Sequence, residues 1–458
     1  MLSLPVTIRR FRFWLHVTQA YFIRYQIRLA SFIIISILIT LGVFSLWPKV
    51  SRTNIVSIGY IGSHTIESIP PEILSLVTQP LIRTNDLGQP IPALASHWTV
   101  SDDGKTYIVF LKDNLKWHDE TTVDTGNISI AISNIEITAL NNKAIEFKLP
   151  TAISSFPQAL NKPVFKANTF YGIGEYRIVK INRSGKVVKK IILRPKNDAL
   201  PIVEIKFYQT QEQVANALKI GEIKVAKIPN AGEFETWQNL SVQQETDYSQ
   251  AITLFFNTQD ANLASKDLRQ ALAYALNRSD FDGEVAHSPL SPSSWAYNES
   301  TKRYNYNTGK SKELLSKLQT ENIELRLSIS PGLEKIAESI KSDWEAIGLN
   351  VTPENVQSTP ENFQVLLAVN ELTPDPDQYA LWHSTQAETN ITKYNDPRID
   401  KLLEDGMMTS DEERRKELYF DFQKSLTEDL PAIFLYHPYK YNVVYKNIEH
   451  LLEKLPDS

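Results

Sequence analysis

Residues 324–350 read ELRLSISPGLEKIAESIKSDWEAIGLN. Leu325, Leu327 and Ile329 alternate with other residues in the pattern of a half-buried strand. Leu333, Ile336, Ala337, Ile340, Trp344 and Ile347 then fall at helical spacing, and Gly348 stands where a helix C-terminal cap belongs. Phe363, Val365 and Leu367 begin a second strand. A strand, a helix and a strand in this order predict a parallel or mixed sheet covered by helices, an α/β fold.

The same periods extend outward. Leu268, Ala271, Leu272, Ala275 and Leu276 form an apolar helix face, and Leu418, Phe422 and Leu426 form another that ends before Pro431. Arg269 and Arg278 are expected on one helix in structural roles, pairing with acids or backbone carbonyls. Ile433 to Tyr436 reads as a short apolar strand. Between 54 and 200 the pattern changes to short alternating runs (Tyr107, Val109, Leu111; Ile128, Ile130; Ile145, Phe147; Ile191, Leu193). Turn signals stand at Asp102-Asp103-Gly104 and Arg183-Ser184-Gly185, so this region is expected to be mostly antiparallel. The Pro- and Asn-rich stretch 286–308 reads as a long surface loop.

At 458 residues the chain has room for about three domains or lobes. With 42% hydrophobic and 22% charged residues it has ordinary globular usage, which excludes wholesale disorder. Cysteine is absent, excluding disulfides, thiolate metal sites and a cysteine nucleophile. Residues 1–50 carry Arg9, Arg10, Arg12, Arg24, Arg28 and Lys49 and no acid. The rest holds 42 basic and 53 acidic residues, a net −11 that disfavours nucleic acid as a partner. No G-x-S-x-G, H-E-x-x-H or P-loop is present, so no enzymatic activity is expected. The eight histidines are scattered; no metal site and no cofactor are expected.

Leu29 to Leu46 is 18 residues without a charge, followed by Trp47. That length nearly matches the about 20 residues that cross a bilayer. No small-x-small cleavage site follows. The expectation is a retained transmembrane anchor over 29–47, with a basic cytoplasmic tail at 1–28. The five arginines before it place the N-terminus in the cytoplasm and the bulk of the chain outside the cell membrane.

Residues 92–120, PALASHWTVSDDGKTYIVFLKDNLKWHDE, match the pattern L-A-x-x-W, D-G-x-x-Y-x-F-x-L, K-W-H-D through Leu94, Ala95, Trp98, Asp103, Gly104, Tyr107, Phe110, Leu111 and Lys116 to Asp119. Further matches follow in order: Gly172, Gly174 and Tyr176; Ala217, Leu218, Gly221 and Glu222; residues 254–281; PDPDQYALWHS (374–384); KYNDPRIDKLL (393–403); and EDLPAIFLYH (428–437). In this order the chain resembles the extracellular solute-binding proteins of family 5, the peptide- and nickel-binding receptors of ABC importers. The resemblance implies a two-lobed type II periplasmic-binding-protein fold with mixed sheets and a hinge. Lobe 1 would span 54–250, completed by 433–458, and lobe 2 would span 251–432. It also implies a peptide or other small solute as ligand and an ABC transporter permease as partner, reached from a single N-terminal membrane helix. The chain departs from the family at Glu175, at Lys224 and across 120–128, and in two larger respects. The stretch from Asp119 to Gly172 is short, so a subdomain of lobe 1 must be trimmed, and Leu372 stands where peptide binders often carry an ammonium-binding aspartate.

The expected ligand contacts lie in 371–384: Glu371 or Asp375 as charged partner, Trp382 as a stacking platform, and His383 beside it. Trp117 and His118 are further candidates. The competing readings are a plain turn at Asp375-Pro376, a core position for Trp382 and a structural strand end for Trp117 and His118. The leading function is therefore a membrane-anchored extracytoplasmic substrate-binding protein. The alternatives are an anchored sensor or interaction module, and a degenerate member without a transport role.

Overall fold

A computed structural model describes residues 54–456, apart from 131 and 319–321, together with isolated positions before residue 54. The chain divides into two compact units, Met1–Ile55 and Val56–Ser458. In the first, the described positions 13–14 and 16–20 are helical. No helix among the described residues is long and apolar enough to cross a membrane. The expected anchor at 29–47 lies outside the described residues except for 35–37 and 40, as does most of the expected tail at 1–28.

The second unit is built on one continuous sheet in two halves. Lobe 1 contributes, in spatial order, Tyr176–Ser184, Val187–Pro195, Ile202–Tyr208, Ile55–Ile61 and Val225–Ile228. Lobe 2 contributes Gln250–Phe256, Val365–Glu371, Glu324–Ile329 and Asn350–Asn355. The stretch that opens the sequence analysis forms the parallel pair of Glu324–Ile329 with Asn350–Asn355, joined by the helix Glu334–Glu345. Ile340 and Trp344 of that helix are buried in the lobe-2 core with Leu268 and Leu272. Gly348 ends the segment at φ +96°, a conformation that a side chain would strain.

The two halves meet through a single long strand, Ala432–Tyr445. Its first part pairs with Gln250–Phe256 and Gly283–Val285 of lobe 2, and its second part with Val225–Ile228 and Leu240–Thr246 of lobe 1. The apolar strand expected at 433–436 is thus the beginning of a 14-residue element. The expected lobe boundary at 432/433 falls inside its lobe-2 part; the crossing comes at Pro438 and Tyr439. The outward crossing runs from Thr246 to Gln250, where the Asp247 amide donates to the Pro438 carbonyl at 2.8 Å. Two adjacent crossings are the geometry of a hinge.

A small domain interrupts lobe 1. Its four-stranded antiparallel sheet, Ala95–Val100, Thr106–Leu111, Ala144–Lys148 and Glu136–Asn141, packs around Trp117, Phe147 and Phe156. Thus the expected antiparallel character of 54–200 holds here and in the hairpin Tyr176–Pro195, whereas Ile55–Ile61 runs parallel to Val225–Ile228.

Two further differences concern packing. Residues 286–307 form no helix or strand; 299–300 and 305–307 are exposed as expected, whereas much of 286–298 is buried. Ala286, Ser288, Leu290, Ala296 and Asn298 are buried. The buried Gln423 side chain accepts from the Asn298 amide and the Ser288 hydroxyl and donates to the Ala296 carbonyl, which ties this segment to the helix that carries Gln423. Arg278 lies just beyond the helix Lys266–Ala275, not on it. As expected, both arginines serve backbone carbonyls: Arg269 those of Leu263, Asp429 and Leu430, and Arg278 those of Ala286, Tyr304 and Phe434.

Candidate ligand-binding cleft

Strand ends of lobe 1 and the two hinge crossings enclose a cavity of about 860 Å³. Tyr60 and Lys227 come from neighbouring parallel strands that end on the same side, and Glu72 comes from the short helix Pro71–Leu74. Asp247 and Gln250 line it from the outward crossing, and Lys440 from the return. The wall is mixed in charge. The Lys227 ammonium lies 5.5 Å from the centre of the Tyr60 ring. Burial, with the Glu72 carboxylate nearby, pushes the Tyr60 hydroxyl well above its ordinary range, so it stays protonated and available as a donor. Asp247 accepts from the Ser249 hydroxyl at 2.6 Å and from the Gln250 side chain at 2.7 Å. Burial opposes its charge, but these hydrogen bonds outweigh it and hold the carboxyl below the usual range. Asn442 donates to Glu245 at 3.1 Å. Lys227 and Glu72 have no ion-pair partner among the described residues. Cations, carboxylates and a ring facing one space suit a ligand that carries both charges, and no nucleophile is paired with a base here. Among the described residues no cluster of three or more His, Asp or Glu is placed to hold a metal.

A second cavity, about 580 Å³, lies within lobe 1 and the small domain, with Leu74, Leu81, Ile130, Leu160 and Phe165 in its walls. It is mainly apolar and away from the hinge.

The small domain also touches lobe 2 directly. The Ser154 amide and hydroxyl both donate to the Met407 carbonyl at 2.8 Å. The Ser155 hydroxyl donates to Asp377 at 3.0 Å, Gln158 donates to Asp375 at 3.3 Å, and Gln89 donates to Glu412 at 2.6 Å. Gly88 makes the approach possible: a Cβ there would stand 2.4 Å from the Pro374 carbonyl oxygen. Burial, with Asp375 beside it, raises the Asp377 pKa. These contacts form a latch.

Of the six residues expected to touch ligand, Glu371 is the one exposed. It ends the strand Val365–Glu371, directly opposite Gln250, which lines the hinge cavity. The other five are held in the framework. Asp375 is buried in an ion pair with Arg415 at 3.1 Å. Trp382 is 1% exposed and packs against Phe255 and Phe434. His383, equally buried, stacks on Tyr379 with 4.1 Å between ring centres. Trp117 is buried and donates to Asn127 at 2.9 Å.

His118 clamps a turn. Its Nδ1 accepts from the Gly172 amide at 3.1 Å, so Nε2 carries the proton and donates to the Gly174 carbonyl at 3.0 Å. Burial lowers its pKa, which keeps this neutral tautomer. The turn needs both glycines, since a Cβ at Gly172 would meet the Val77 carbonyl oxygen at 2.2 Å.

Sequence reasoning missed Tyr60, Glu72, Lys227, Asp247 and Lys440. The one available signal was the turn-forming Asp247-Tyr248-Ser249 between two strand-like runs.

The family model described as bacterial extracellular solute-binding proteins, family 5 middle, matches residues 89–128 and 120–391. The oligopeptide-binding protein AppA of Bacillus subtilis is 27% identical over 271 residues, which covers 51% of this chain and 50% of that protein. Di/tripeptide-binding protein 1 of Pseudomonas aeruginosa is 23% identical over 451 residues, 78% of this chain and 82% of its own. The chain therefore spans half the length of the first and about four fifths of the second. The crystal structure of NikZ from Campylobacter jejuni, in complex with Ni(L-His), superposes with a TM-score of 0.68 at 22% identity, covering 86% of this chain and 94% of that one. That likeness shows the two-lobed mixed α/β fold.

Proposed function

This chain belongs to the bacterial extracellular solute-binding proteins of family 5, and from that we propose that it captures a peptide or similar small solute between its lobes and delivers it to the permease of an ABC importer. The observation that carries the reading is the hinge cavity of about 860 Å³ with charges of both signs. A zwitterionic solute would satisfy Lys227 and Glu72, which have no ion-pair partner among the described residues. In this reading Glu72 and Asp247 of the cavity wall meet a cationic group, joined by Glu371 through its pairing with Gln250, and Tyr60 offers a ring to stack on. Asp375, Trp382 and His383 act behind them, fixing the course of the chain from Leu372 onward, and Trp117 and His118 fix the small domain. The mechanism is binding without chemistry: ligand favours the closed arrangement, and the closed form is what a permease recognises.

In this reading residues 29–47 anchor the chain in the cell membrane with the N-terminus cytoplasmic and the lobes outside. The anchor keeps the receptor near its permease and raises the effective concentration there.

Native mass spectrometry of the purified full chain, followed by release and identification of retained small molecules, tests the proposal. A peptide or other zwitterionic solute is expected, and Glu371→Gln or Lys227→Gln should lower its occupancy at least tenfold, the scale of one charge-assisted hydrogen bond. A chain that retains nothing and binds no member of a peptide library refutes a receptor role.

A further inference from the structure

The edge hairpin Tyr176–Ser184 and Val187–Pro195 is built against the charge of the rest of the molecule. Residues 176–196 contain Arg177, Lys180, Arg183, Lys186, Lys189, Lys190, Arg194 and Lys196, and no acid. Only Lys190 of the eight forms an ion pair among the described residues, with Glu204 at 2.8 Å. Beside the hairpin stand the exposed Glu175, whose carbonyl accepts from the Lys196 amide at 2.8 Å, and the exposed Glu67. The Glu67 pKa is lowered by a Thr65 hydrogen bond and more weakly by Lys186 and Arg183. Arg177 stands directly opposite Arg194 across the two strands. Like charges in that position destabilise a sheet unless a counter-charge is supplied from outside.

The outer face of this hairpin is also uncovered. The helix Gln211–Lys219 covers the neighbouring strands, burying Val214 and Leu218 against Ala226 and Ile228. The other face of the hairpin packs inward through Tyr176, Ile191 and Leu193. Arg177, Lys180 and Arg194 remain exposed.

Position in the sheet says which anion lies within reach. The hairpin pairs with Ile202–Tyr208, with Leu193 opposite Val203. That strand lies beside Ile55–Ile61, and the Gly62 amide donates to the Tyr208 carbonyl. The Arg177–Arg194 end of the hairpin is therefore the end at which the strand from Ile55 begins. In the anchored reading, on which this inference rests, seven residues (48–54) separate the membrane span from that strand. Fully extended they reach about 24 Å. The edge strand is three strands away, about 15 Å.

We propose that the outer face of this hairpin, through Arg177, Lys180 and Arg194, docks on the anionic phospholipid headgroups of the membrane to which the chain is tethered. Docking orients the lobes on the surface and supplies the counter-charge that the Arg177–Arg194 pair lacks.

The test uses the full chain in lipid nanodiscs, with hydrogen exchange read across 176–196. In phosphatidylglycerol-rich discs these amides should exchange at least about fivefold more slowly than in phosphatidylcholine discs, equivalent to about one Lys or Arg contact with an anionic surface. High salt should abolish the difference. The triple variant Arg177→Glu/Lys180→Glu/Arg194→Glu should lose it as well, while amides of Ala432–Tyr445 exchange unchanged and report intact folding. Equal exchange in the two disc types overturns the docking. So does protection by a soluble polyanion in solution that phosphatidylglycerol discs do not reproduce; the surface then serves a polymer, not a bilayer. The anchor reads out separately. A chain that leaves both disc types in high salt refutes the anchor, whereas one that stays in both without differential protection refutes the docking alone.

Discussion

At the scale of single residues, Trp382 and Trp344 carry the same chemistry at the same burial. Both are essentially inaccessible, and Trp344 also donates to the Leu272 carbonyl. Trp382→Ala should therefore cost about 3–5 kcal/mol in denaturant melts, as much as Trp344→Ala. A stable Trp382→Ala protein that has lost ligand would return the indole to the cleft. Histidines set a second expectation. Burial, reinforced by Arg278 and Arg303, depresses the His287 pKa to about 4, and burial also depresses His118 and His437. Unfolded histidine binds its proton near pH 6.5. Between that pH and about 4 the unfolded chain holds protons that the folded chain refuses, so stability falls as the pH falls. Chemical melts across that window should show the decline, and His287→Gln should flatten it. A melt midpoint that rises toward pH 4 would contradict the assignment.

At the scale of elements, the helix Glu412–Asp429 ties the turn before Trp382 into lobe 2 through Arg415. Its guanidinium donates to Asp375 and to the Gly406 carbonyl at 3.0 Å and lies over the rings of Trp295 and Tyr419. Arg415→Met alone strands a buried carboxylate and should cost about 3–5 kcal/mol, whereas Arg415→Met with Asp375→Leu should recover much of that loss. Equal destabilisation by the single and double variants would rule out the ion pair as the cause. Elements like this helix and Glu334–Glu345 were legible because one apolar stripe at helical spacing suffices to identify them. The strand Ala432–Tyr445 was legible only in its apolar lobe-2 part, since beyond His437-Pro438 its alternation changes as it enters a different core. The role of 371–384 was not legible for a related reason. Acids, prolines and an indole look alike whether they face a cleft or pack inward, and Trp382 is buried by Phe255 and Phe434, which are remote in sequence. The cleft itself is assembled from strand ends that carry no motif.

At the scale of the whole compact unit from Val56 onward, the lobes are joined both by the covalent crossings and by the latch contacts. The chain has no cysteine, so Ser155→Cys with Asp377→Cys introduces a single possible disulfide, where the hydroxyl and carboxylate now stand 3.0 Å apart. Oxidation should trap the closed arrangement and slow ligand exchange, and reduction should restore it. Exchange that is insensitive to oxidant, with the bond formed, would show that ligand does not enter by lobe opening. None of Ser154, Ser155, Gln158 or Met407 lines the hinge cavity. The latch can therefore stabilise the shut form without discriminating between solutes. In the proposed reading specificity then belongs to the hinge wall, while residence time belongs to the latch. A change at Gln89 or Gln158 would alter how long cargo is held without altering which cargo is chosen.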